Sequence, residues 1–217
     1  MGRSGKIFLE SSQYFYWFVG LNLVFLIFNT PLFLALLFLE LTPANSLYFY
    51  LAFLPFGASL TATFACFNKL KHELDLLLIK DFWKFYKVAM RKSTVIWTVA
   101  SLIVYIIILN INFLQETPFS SLLLPPYLIL ILLLASTTIT SLYLLASDEK
   151  ERVIEAVKVA AFLSIKKGYI GIFNLTIFAM WLFVIFIRPV LGLGLMPSVI
   201  VFLMAKNHEF IVTYSQV

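Results

Sequence analysis

Charge is scarce in this chain, and cysteine is nearly absent. Only 12% of the residues are Asp, Glu, Lys or Arg while 62% are hydrophobic, a balance that excludes an ordinary soluble surface. The single cysteine, Cys66, excludes a disulfide framework or a thiolate metal cluster within one chain, and its place in an apolar run predicts a buried packing residue. Period-two alternation of apolar and polar residues is missing, which excludes transmembrane barrel strands. No phosphate-binding Walker motif occurs, so ATP hydrolysis is not expected of this chain. Residues 1–10 are basic and precede an apolar run, but that run is longer than a secretory leader's core and has no small-residue cleavage pattern, so it is read as a retained first span.

Carboxylates are missing from the apolar runs too. Every Asp and Glu falls at the end of a run or in a charged segment, which leaves an ion-coupled carrier without a proton relay and an enzyme without a base beside a nucleophile. His72-Glu73 begins a metalloprotease motif, but the second histidine would fall at position 76, which is Leu76. His72 is therefore expected as a polar residue of a charged helix, His208 as a solvated tail residue, and neither a metal nor a cofactor is expected. Gly192 and Gly194 lack the third glycine and the strand context of a dinucleotide fingerprint, so they are assigned to close helix packing. Asn174 and Thr176 fit a glycosylation sequon, yet they lie within a span, out of reach of the modification.

What is present is a series of long apolar runs. Stretches without any charged residue cover 11–39, 41–68, 93–115, 117–147, 168–187 and 189–205, and about 20 apolar residues suffice to cross the hydrocarbon as a helix. The fold class expected is all-α, a polytopic helical membrane bundle of about six transmembrane helices (14–39, 46–68, 94–114, 119–146, 168–187 and 190–205) in one domain, with two cytoplasmic amphipathic helices at 70–92 and 149–167. The last run is short and bracketed by Arg188-Pro189 and Pro197, so it could also re-enter. Seven basic residues fall in 69–92 and five in 148–167, whereas the alternate loops hold only Glu40, Glu116 and Arg188. Basic residues near span ends are retained on the cytoplasmic side, which puts both termini inside.

Polar residues and breakers within the runs are few. Asn22 and Asn29 share a helix face at seven-residue spacing and are expected to hydrogen-bond between helices. Asn29-Thr30-Pro31 should kink or end the first helix, because proline removes a backbone donor and clashes with the preceding turn. A second break is expected at Pro55-Phe56-Gly57, and discontinuous helices of this kind can line a solute path.

The segment 69–93 has the basic residues and aromatics of a nucleic-acid patch, but its helical geometry is against that. At roughly 100° per residue, Leu74, Leu78, Phe82, Phe85 and Ala89 fall on one stripe and Lys80, Lys84, Lys87 and Arg91 gather opposite them, with Leu76, Trp83 and Met90 between. A wide apolar arc with a narrow basic wedge fits a helix lying at the inner membrane face, its lysines toward anionic headgroups, or a helix packed on another subunit. A shift of 74 residues lays 155–166 over 81–92, matching Glu155 to Asp81, Lys158 to Lys84 and Lys166 to Lys92. The second segment carries its own punctuation, with Asp148 as cap and Gly168 after Lys166 and Lys167.

Four segments in order, "LNLVFLIFNTP" (21–31), "PFGASLTATFACFNKL" (55–70), "KDFWKFYKVAMRKS" (80–93) and "VIEAVKVAAFLSIKKGYIGIFNL" (153–175), resemble the YesL-like family of bacterial membrane proteins. The resemblance covers nearly the whole chain and is most specific at Asp81, Phe82, Trp83 and Lys84. The family has no defined activity or catalytic residues; its members are encoded among carbohydrate import systems, chiefly of Gram-positive bacteria. The resemblance implies a multi-pass protein of the bacterial cell membrane that takes part in oligosaccharide uptake beside an ABC importer. Glu155-Ala156 is a poor match to the ATPase-contacting loop of a permease, since no glycine follows until Gly168, so the chain is expected to accompany the permease. The expectation is a non-catalytic accessory subunit that contacts permease subunits through Phe82, Trp83, Lys84, Phe85 and Lys87, with membrane lipids as its other partner and no nucleic acid. The alternative is a stand-alone small-solute channel built on the breaks near Pro31 and Pro55.

Overall fold

The computed structural model describes residues 3–72, 76–114 and 120–214, and all of its regular structure is helical. Glu73 and Leu74 of the charged segment, and residue 119, where the fourth span was expected to begin, lie outside the described residues. The helices are α1 (Arg3–Phe28), α2 (Thr30–Phe38), α3 (Ser46–His72), α4 (Leu78–Leu114), α5 (Ser120–Ser147), α6 (Val153–Lys166), α7 (Gly168–Ile187), α8 (Pro189–Gly194) and α9 (Pro197–Tyr214), with a 3-10 turn at Pro43–Asn45.

Among the described residues three segments are long and apolar enough to cross a membrane: Ser46–Lys71, Leu78–Leu114 and Leu122–Ser147. Two bent pairs, Phe15–Phe28 with Thr30–Phe38 at 72° and Val153–Lys166 with Gly171–Ile187 at 102°, bring the number to five if each is one span. The count is therefore three to five where six were expected. Residues 189–205 do not form one helix, because Pro189 and Pro197 each open a new one and the turn at Leu195 and Met196 separates them. Proline is preorganised for the first helical turn and disfavours helix in the residue before it.

The charged segment differs from expectation in both bounds. It starts at Leu78 rather than 70, and it does not end before the next span: α4 runs unbroken for 37 residues, about 55 Å at 1.5 Å per residue. Nothing between Arg91 and Val95 is a breaker, so the amphipathic turns and the apolar turns share one rod. The second segment starts at Val153 rather than 149. Asp148 accepts from the Lys150 amide at 2.8 Å and caps a turn, leaving Arg152 at the head of α6 without a side-chain cap.

Antiparallel packing of α3, α4 and α5 makes the centre. Gly57 faces Trp97, Tyr50 meets Tyr105 and Lys69 pairs with Asp81, which fixes the α3–α4 register. Lys92 donates to the carbonyls of Glu149 (2.6 Å) and Glu151 (2.8 Å), tying α4 to the turn after α5. Buried rings of Phe25, Phe56, Trp97 and Trp181 meet edge-on or tilted where α1, α3, α4 and α7 converge. Rather than extending from the bundle, α6 folds back along α5: Ala156 sits with Leu145 and Ile96, and Ser164 bonds Ser136 at 3.0 Å. Ser136 is 11 residues short of the end of α5, so the return covers about 16 Å.

Candidate functional site

Asp81 holds the corner between α3 and α4. Its carboxylate accepts from Lys69 Nζ at 2.8 Å and from the Leu77 amide at 2.9 Å, in the first turn of α4, where a negative charge also faces the helix dipole favourably. With that turn fixed, the following residues divide by face. Phe82 is 0% exposed, its ring 5.0 Å from Phe28 at the end of α1, and Tyr86 one turn later is 4.6 Å from the same ring. Trp83 stacks on Tyr86 at 6.0 Å and 9° yet keeps 44% of its surface exposed, with Lys87 Nζ 4.7 Å above it. Lys80, Lys84 and Arg91 are exposed alongside. Of the five expected contact residues, Trp83, Lys84 and Lys87 face outward.

Phe82 does not, which corrects the expectation: a ring buried against Phe28 cannot meet a second protein. Phe85 is half-buried and lines, with Ser93, Thr61 and Leu145, a cavity of about 20 Å³ between α3, α4 and α5, room for roughly one water. The Ser93 hydroxyl beside it is buried and has no partner among the described residues. Phe28 and Tyr86 are the contributors that the sequence reading missed. Tyr86 was legible, four residues after Phe82 on the same face; Phe28 was not, because its place depends on a contact 54 positions away.

The expected breaks and polar residues separate in the same way. Asn22 joins three elements, donating to the Leu195 carbonyl at 2.8 Å and accepting from the Ser198 amide at 2.8 Å, so it closes the α8–α9 turn against α1. Asn29 stays local: its amide donates to the Phe25 carbonyl, and its carboxamide oxygen is buried without a partner among the described residues at the 72° bend that Pro31 continues into α2. Pro55 does not break α3, which runs from Ser46 to His72 around it. Helix turns on both sides of it are held by neighbours, as where Trp97 Nε1 donates to the Phe53 carbonyl at 2.9 Å. Gly57 is a packing residue: a Cβ there would lie 2.5 Å from that of Trp97.

His208 overturns its expectation as a solvated residue. It is 2% exposed, stacked on Tyr143 at 4.6 Å, with Nδ1 2.9 Å from the Met204 carbonyl and Nε2 3.1 Å from Thr140 Oγ1. A carbonyl only accepts, so Nδ1 carries the proton and Nε2 accepts from the Thr140 hydroxyl, and the ring is neutral. Burial pushes its pKa down to about 4. Asn174 reaches the same ring and accepts from Asn207 at 2.8 Å, so this polar cluster joins α5, α7 and α9. Among the described residues no three His, Cys, Asp or Glu side chains gather in a way that could hold a metal. Cys66 is buried and unpaired, a packing residue of α3.

Residues 18–111 match the model of a family described as "Protein of unknown function, DUF624". That range holds the Phe28–Phe82 contact, the Asp81 corner and the lysine row; α5 to α9 lie beyond it. No curated protein and no solved structure matches the chain.

Proposed function

We propose that this chain is a non-catalytic accessory membrane subunit of a carbohydrate ABC importer, of the YesL-like kind, that stabilises or regulates the permease. The observation that carries the reading is the two-faced start of α4. One face is locked to the chain's own Phe28 and Lys69, and beside it Trp83, one side of its ring 5.4 Å from Phe28 and the rest exposed, stands with a narrow row of lysines on one continuous helix. A tryptophan held in place by stacking and flanked by cations has the make-up of an interface anchor, since little entropy is lost when it docks. The importer itself comes from the resemblance of the four sequence segments. Trp83, Lys84 and Lys87 make the contact, and Phe82 and Phe85 support it from beneath.

The charge distribution puts the α3–α4 and α5–α6 connections, and both termini, on the cytoplasmic side of a bacterial cell membrane. Support for the carboxyl-terminal end comes from the ion pair of Lys71 with Glu209 at 3.3 Å, at the same end of the bundle as the Asp81 corner. Copurification with permease subunits from native membranes tests the proposal. Trp83→Ala with Lys84→Glu and Lys87→Glu should cut recovery of the permease at least tenfold while the variant inserts and folds normally. A chain that never copurifies, and whose deletion leaves sugar uptake unchanged, would sink the reading; solute flux through the pure protein in liposomes would favour the channel instead.

A further inference from the structure

The structure assigns a bound water molecule to the joint where α3, α4 and α5 meet. Ser93, the first residue of the charge-free stretch of α4, is 0% exposed, and its hydroxyl is buried with no hydrogen-bond partner among the described residues. Other helical hydroxyls behave differently: Ser59, Thr61 and Thr63 on α3, and Thr138, Ser141 and Ser147 on α5, each donate to the carbonyl four residues back. Ser93 instead lines the cavity of about 20 Å³ between the three helices. An enclosed hydroxyl left unsatisfied is destabilising, so a further polar group is called for there.

Size and chemistry select that group. The volume of about 20 Å³ exceeds the roughly 10–15 Å³ that one water needs and is far below what a sugar or any other organic solute needs. Lys92 also lines the cavity, and its ammonium repels a metal ion. A buried water takes two to four polar partners, and the lining offers them. Ser93 has both a hydrogen and lone pairs to share. Thr61, whose hydrogen already goes to the Gly57 carbonyl at 3.1 Å, can only accept, and Lys92, which donates to the Glu149 and Glu151 carbonyls, has a third hydrogen to give. Water both donates and accepts, so one molecule can serve all three. Phe85 and Leu145 add apolar walls, and Glu149, which also lines the cavity, is exposed, so solvent has a way in. The central helices are thereby joined through water at the level where the charged turns of α4 give way to its apolar ones. Ser93, Thr61 and Lys92 take no part in the contact assigned to the permease, so this inference does not rest on the importer reading.

The test uses the full chain in proteoliposomes. In solid-state NMR, magnetisation passed from water should reach Ser93 at least about threefold faster than Ser59, which is equally buried but spends its hydrogen on the Pro55 carbonyl. Ser93→Ala should lower the thermal midpoint by about 2–4 °C, the loss of roughly one hydrogen bond in a chain of this length. Without a water the sign reverses, because removing a hydroxyl that nothing satisfies raises the midpoint. A midpoint that does not fall, or a Ser93 signal that builds no faster than that of Ser59, would mean a dry cavity and overturn the inference.

Discussion

Replacing Phe82 and Trp83 one at a time separates what holds α4 in place from what it offers to a partner. Phe82 is wholly buried between Phe28 and Tyr86, and deleting a buried phenylalanine ring leaves a cavity worth about 3–5 kcal/mol. Trp83 keeps 44% of its surface exposed. A tryptophan buries roughly 150–250 Å² when enclosed, so about 100 Å² is at stake here, or at ~25 cal/mol per Å² about 2.5 kcal/mol, to which the ring contacts with Tyr86 and Phe28 add a fraction. Phe82→Ala should therefore lower the unfolding midpoint, in a detergent titration or thermal melt, by more than Trp83→Ala. Permease recovery should reverse the order once both are normalised to folded protein. If Phe82→Ala proves as stable as Trp83→Ala to within about 1 kcal/mol, the α1–α4 contact does not hold the segment, and the division of faces fails with it.

Three further outcomes follow from particular contacts. Gly57→Ala brings a Cβ within 2.5 Å of the Trp97 Cβ and should cost about 1–3 kcal/mol by overpacking, read as a lower thermal midpoint; an unchanged midpoint would place α3 further from α4. Asp81→Asn keeps the shape but removes the charge that Lys69 meets at 2.8 Å in a largely enclosed corner, and a loss of about 1–2 kcal/mol is expected in the same melt, shrinking at high salt. His208 binds its proton more weakly in the fold, with a pKa of about 4, than its ordinary 6.5. The unfolded chain then gains protons first as pH falls, and stability should decline by up to about 3 kcal/mol between pH 6.5 and 4, a slope that His208→Gln should flatten.

The helical class and the amphipathic start of α4 were legible because they depend on local information. The 3.6-residue period joins Phe82, Tyr86, Ala89, Ser93 and Ile96 on one line, and that line is the buried one. What the line packs against was not legible, since Phe28 belongs to a helix whose end is set by the bend at Asn29. His208 was misread for the same reason. A lone histidine after an apolar run looks like a tail, and only the meeting of α5, α7 and α9 encloses it. At Pro55 the rule that proline breaks helices gave way to packing, because neighbours on both sides hold α3 together.

The least legible step was α6, and the 74-residue shift explains why. It aligns Ala156, Ala160 and Ser164 with Phe82, Tyr86 and Met90, so one helix of the pair has small residues where the other has large ones. Small side chains let α6 lie flat on α5, with Ala156 and Ala160 wholly buried and Ser164 bonded to Ser136, while the aromatics of α4 keep it upright and take Phe28 between them. Gly168, aligned with Thr94, is where the second unit bends by 102° and the first runs straight. Among the described residues nothing beyond its chain neighbours and its own helix lies within 4 Å of a Cβ placed on Gly168, so the bend is held by the face of α6 and not by crowding at the joint. Ala160→Phe should then release the fold-back, since a ring cannot fit where a methyl is fully enclosed. With cysteines at 136 and 164 in the Cys66→Ala background, where hydroxyls 3.0 Å apart allow a disulfide, oxidation should join α5 to α6 in the parent and slow at least tenfold once Ala160→Phe is added. Undiminished cross-linking in the variant would show that the joint at Gly168, rather than the small-residue face, sets the path of α6.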